Sequence, residues 1–169
     1  MNIKIFAVVA LACVMAVSCG KKEDAAPAKP AAPTPASVAS LPAPANGDEA
    51  GWKDYLKTVV KANMTGIRSS PFVYYVPSLQ TENFQEQYDR QLDNVSGAIQ
   101  RGVLPGNMLA FGSPESAKLA DLVVEAFKTS QAGSMKGVRV LFIGKKEDQE
   151  RVKAAVEPTG ADVVFHAID

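Results

Sequence analysis

The stretch Met108-Leu109-Ala110-Phe111-Gly112-Ser113-Pro114-Glu115 decides how this chain is read. Four apolar residues of strand length end at a glycine. Serine, proline and an acid then follow in the order of a helix cap, a first helical position and a first turn. Strand is therefore expected to pass straight into helix. Leu119, Val123 and Phe127, flanked by Ala120 and Val124, continue that helix as one buried face, and Gly133 ends it.

The same unit recurs on either side. Phe72-Val73-Tyr74-Tyr75-Val76, bounded by Pro71 and Pro77, is a β-branched and aromatic run that predicts a first strand with Tyr74 and Tyr75 on opposite faces. Phe84, Tyr88, Leu92, Val95 and Ile99 predict the helix after it, capped by Thr81 and closed by Gly102. Val138 to Ile143 is a third strand interrupted only by Arg139. A helix opened by Glu147 or Asp148 runs through Val152, Ala155 and Val156 to the breakers Pro158 and Gly160, and Asp162 to Ile168 is the last strand. Before all of these, Trp52, Tyr55, Leu56, Val59, Val60 and Met64 form the stripe of a leading helix that Gly66 terminates. Trp52 is read as core there; were no sheet face left to cover, the stripe would be a docking surface instead.

Helix-first alternation with crossover-length connections predicts an α/β fold. The expected form is a three-layer sandwich over residues 48–169, with a four-stranded, mainly parallel sheet and helices on both faces.

Composition narrows the chemistry. The chain has 18 basic and 18 acidic residues, and from Asp48 onward 14 basic against 16 acidic, a net charge of −2. That gives no basic footprint for nucleic acid. Both cysteines, Cys13 and Cys19, lie in the N-terminal apolar segment, and His166 is the single histidine. The domain therefore has no disulfide to rely on, no Cys/His pair and no multi-histidine metal site, and no cofactor is expected.

Met1 to Lys4 carries one positive charge and Ile5 to Val17 is an unbroken apolar run, shorter than the roughly 20 residues of a spanning helix. Ala16-Val17-Ser18-Cys19 resembles the lipobox of bacterial lipoproteins. The resemblance implies a signal peptide over 1–18, acylation of Cys19 and a domain tethered to the periplasmic side of a membrane. Ala10-Leu11-Ala12-Cys13 fits a lipobox more loosely. Gly20, where retention in the inner membrane would favour aspartate, implies the outer membrane. Residues 20–47 hold nine alanines and six prolines with few large apolar side chains beyond Val38 and Leu41. They read as a semi-rigid tether rather than a proline-rich ligand, with 19–47 as the lipidated and tethering segment. Truncating 20–47 is expected to leave folding unchanged.

Parallel α/β sheets bind ligands beyond the carboxyl ends of their strands, where strand order reverses. Those ends carry Ser78, Gln80 and Thr81; Gly112, Ser113 and Ser116; Gly144, Lys145 and Lys146; and Asp169. Ser78, Gly112, Ser113, Ser116 and Lys145 are the candidate ligand-binding set: a glycine that permits close backbone approach, a helix N-terminus that attracts anions and a cation beside them. Ordinary capping and a solvated loop explain the same residues. His166 could serve Ser113 or Ser116 as a general base, oriented by Asp162 or Asp169. Pro114, however, denies an oxyanion hole the backbone donor that a nucleophile elbow needs.

The sequence thus favours a non-enzymatic envelope lipoprotein. Its partners would be the bilayer, through acylated Cys19, and another envelope protein. The alternatives are a small-ligand binder at the strand ends and, more weakly, a hydrolase.

Overall fold

The computed structural model describes residues 34–168. The signal peptide read over 1–18, Cys13, Cys19, the tether through residue 33, and Asp169 lie outside the described residues. Within them a single helical turn, α1 (Pro35–Val38), precedes α2 (Glu49–Ala62), β1 (Phe72–Tyr75), α3 (Phe84–Arg101), β2 (Met108–Gly112), α4 (Ser116–Phe127), β3 (Arg139–Gly144), α5 (Gln149–Val156) and β4 (Asp162–Ala167). No described helix is long and apolar enough to cross a membrane.

The four strands pair in parallel in the order β1-β2-β3-β4. This is the α/β sandwich the alternation predicts, with a consequence the alternation leaves open. Each crossover steps one strand in the same direction, so crossovers of one hand place their helices on one face. Accordingly α3, α4 and α5 share a core with Tyr74, Leu109, Phe111, Val140 and Phe142. Strand order never reverses, so the crevice expected at a reversal does not form.

The opposite face is left to α2 and what precedes it. A helix is about 10 Å across and strands lie about 4.8 Å apart, so one helix covers roughly two strands. Trp52, Leu56, Val59 and Val60 of α2 pack on Met108 and Ala110 of β2 and on Leu141 and Ile143 of β3. Trp52 is core, as its place on the stripe predicts, and its indole N–H donates to the Ala45 carbonyl at 3.2 Å.

Residues 34–39 lie on the β4 side, and the segment then runs past Trp52 to the end of β2. Val38 is 2% exposed and shares a cluster with Ile168. Asn46 Nδ2 donates to Glu115 at 2.9 Å. One valine, of the two large apolar side chains the segment holds, and a few backbone carbonyls seat residues 34–47 on the domain. Two local readings also change. Asn83, at φ 60°, holds the cap position of α3 without a side-chain bond, while Thr81 contributes only its carbonyl, to Phe84 N–H at 3.1 Å. Helix α4 begins at Ser116 rather than Pro114, although the Ser113 hydroxyl still accepts from Glu115 N–H at 2.8 Å.

Candidate functional site

At the carboxyl ends of β2 and β3 two of the candidate residues, Ser116 and Lys145, come together and bond one another. Ser116 Oγ donates to Asp148 Oδ2 at 2.5 Å and accepts from Lys145 N–H at 2.7 Å, so the start of α4 is clamped to the loop after β3. Asp148 Oδ1 in turn accepts from Arg151 Nε at 2.9 Å and Nη2 at 2.6 Å. Arg151 also reaches Asp121 Oδ1 at 2.5 Å and the Ala117 carbonyl at 2.8 Å. Ser78 accepts from Gln80 N–H at 3.2 Å within its own turn, and Glu115 Oε1 accepts from Leu79 N–H at 3.1 Å.

A hollow of about 370 Å³ lies over these loops, lined by Ser116 and Lys145 but not by Ser113. Glu115, Glu147 and Asp148 line it too, which makes it a poor seat for an anion. Ser78, Ser113 and Ser116 are buried, with their hydroxyls spent on the backbone and on Asp148.

Gly112 has a different reason to be glycine than ligand approach. A Cβ there would collide with Leu56 Cδ2, so its missing side chain is the space into which α2 sinks. Gly144 is likewise occupied, by the Phe142 ring and Ser116 Oγ.

His166 is 8% exposed on the α2 face of β4, with Nε2 2.8 Å from the Tyr55 hydroxyl. Burial pushes its pKa below the ordinary 6.5 and favours the neutral ring. Its partner is a tyrosine, while both candidate serines are bonded elsewhere. Asp162 pairs with Arg139 at 2.9 Å from the far end of β4, about 13 Å of strand away at 3.3 Å per residue. The serine–histidine arrangement is not assembled. Among the described residues no group of three His, Cys, Asp or Glu is placed to hold a metal ion.

The open feature lies on the other side of the molecule. Beyond α2, no element among the described residues covers the β1 side of the sheet. A groove of about 640 Å³ runs there between α2 and β1, floored by Leu56, Val60, Met64, Val73 and Tyr75. Its rim is Lys53, Lys57 and Lys61, one helical turn apart on α2. Phe72 and Val73 are each 47% exposed on the strand. Burial, with the Glu49 and Asp48 carboxylates adding to it, pushes the Tyr75 hydroxyl up to about 12, so it remains a neutral donor. Among the described residues no acidic side chain lines the groove.

Reading the sequence for strand-end loops missed this face. The signal was present in the four-residue spacing of the three lysines beside the apolar stripe, but whether that flank meets solvent or another helix depends on strand order. In comparisons with protein-family models, curated proteins and solved structures, none matches this chain.

Proposed function

We propose that the chain is a bacterial lipoprotein, anchored through acylated Cys19 on the periplasmic side of the outer membrane, whose α/β domain docks another envelope protein. The observation that supports docking is the β1 side of the sheet, which no described element covers. An apolar floor there is bordered by cations, whereas the polar groups at the strand ends are bonded internally. Apolar surface beside an uncovered strand is characteristic of a partner site. The address rests on the lipobox resemblance and on the apolar run before Cys19.

The test is a photo-crosslinking amino acid placed at Val73 in the full chain, expressed in its own envelope, beside the same probe at Lys145. A discrete protein adduct from Val73, lost when Cys19→Ala removes the acylation site, is expected. Adducts from Lys145 alone would move the function to the strand-end loops, and absence of a protein adduct at either position would overturn the docking reading.

A further inference from the structure

The docking reading leaves the manner of docking and the partner's chemistry open, and the backbone of β1 narrows both. Alternate residues of a parallel strand send both backbone groups to the same neighbour. Val76 N–H donates to the Gly112 carbonyl of β2 at 3.2 Å, in register with Tyr75 opposite Gly112. By that alternation Phe72, Tyr74 and Val76 serve β2. Val73 and Tyr75 direct their N–H and C=O groups away from the sheet, along its open edge. Pro71 and Pro77 fall in the same outward phase, the one place where a strand tolerates a residue without an N–H. The prolines bracket the edge, and between them lies a short pairing site that no described residue blocks.

The residues with outward backbone groups are also the ones whose side chains line the groove. A segment pairing with Val73 and Tyr75 would lay alternate side chains beneath α2. There it meets Lys57 and Lys61, which have no ion-pair partner among the described residues, whereas Lys53 is tied to Glu49 at 2.6 Å. Its other side chains would lie beside exposed Phe72. Resting on the docking reading, we infer that β1 accepts an extended segment of a partner protein by strand addition, and that this segment alternates acidic with apolar residues. A second copy is disfavoured as occupant. Two β1 strands pairing antiparallel about a twofold axis would bring both lysine rows to one face of the joined sheet, like charge against like.

The experiment uses the full chain in neutral detergent and, as probe, the capped peptide Val-Glu-Val-Glu-Val-Glu-Val. Controls are its Val-Lys counterpart and the acidic peptide methylated on alternate backbone nitrogens. Binding of the acidic peptide is expected to slow amide exchange at Val73 and Tyr75. It is expected to weaken at least about tenfold, or 1.4 kcal/mol, for each control peptide. Two variants should show the same loss: Lys57→Glu/Lys61→Glu, which is on the surface, and Val73→Pro, which removes an outward N–H while leaving the β2 ladder intact.

Equal affinity for the Val-Lys peptide, or retained binding of the methylated one, would overturn the inference. So would a concentration-dependent dimer abolished by Val73→Pro. Binding to anionic vesicles that needs Lys57 and Lys61 but tolerates Val73→Pro, without peptide binding, would overturn it in favour of a lipid surface. A protein adduct at Val73 in the envelope without peptide binding would sink strand addition and leave docking standing, whereas no adduct would sink both.

Discussion

The Tyr55 hydroxyl lies 2.8 Å from Nε2 of His166, 111 residues away in the chain, and joins α2 to β4 across the sheet. The rings are 5.9 Å apart, and the same hydroxyl lies 3.4 Å from the Leu41 carbonyl of the N-terminal segment. One contact thus touches three parts of the fold, and its protonation state matters to each.

Burial holds the folded-state pKa of His166 below that of the unfolded chain. As pH falls, the unfolded chain takes up this proton first, so the histidine's contribution is complete above about 6.5 and declines as pH drops through the folded-state value. Urea unfolding at pH 8, 6.5 and 5 is expected to show wild type losing stability relative to His166→Gln at the acidic end. Parallel curves for the two proteins would contradict this. At pH 8, Tyr55→Phe is expected to cost about 1 kcal/mol.

Deleting residues 20–47 is expected to destabilise the domain, in contrast with the sequence expectation. The deletion removes buried Val38 and the acceptors at Leu41 and Ala45. Burial of one valine and two hydrogen bonds together amount to about 2.5–6 kcal/mol. A milder probe is Val38→Ala in the full chain, expected to cost about 1–3 kcal/mol by denaturant titration. An unchanged midpoint for both would mean the segment is not seated on β4.

Gly112→Ala is expected to lose about 1–3 kcal/mol, because the added methyl displaces Leu56. Leu56→Ala alone opens a cavity and costs about 2–5 kcal/mol. Combined, the two should be less harmful than their sum by about 1 kcal/mol or more, as expected of side chains competing for one space. Strict additivity would point to some other need for glycine at this position.

Ser116→Ala takes from Asp148 its second partner and from Lys145 N–H its acceptor. A loss of about 1–3 kcal/mol in stability is expected. The Val73 crosslink should be unchanged, since the two places lie on different parts of the molecule. Loss of the crosslink in a folded Ser116→Ala protein would tie the strand ends to docking.

Much of the fold was legible because its signals are local. The apolar stripe of α2, the β-branched run of β1 and the turn from Gly112 to Glu115 each announce an element from side chains within one or two turns of one another. Alternation of those elements then determined that the strands run parallel. The site was less legible. Ser113, Ser116 and Lys145 were rightly placed at the strand ends, but a sequence does not say whether a hydroxyl faces a ligand or Asp148, a residue 32 positions on. Gly112 was noticed as a glycine, while its reason belongs to Leu56, from a helix separated from β2 by two elements.

By itself, then, the sequence determined the kinds of element and the parallel sheet. Only the tertiary structure decided that the strands follow one another across the sheet without reversal. From this it follows that three helices crowd one face, that a single helix about two strands wide covers only about half of the other, and that the β1 edge is left open among the described residues. Periodicity is a property of neighbours in the chain, whereas coverage is a property of neighbours in space, and strand order alone converts one into the other.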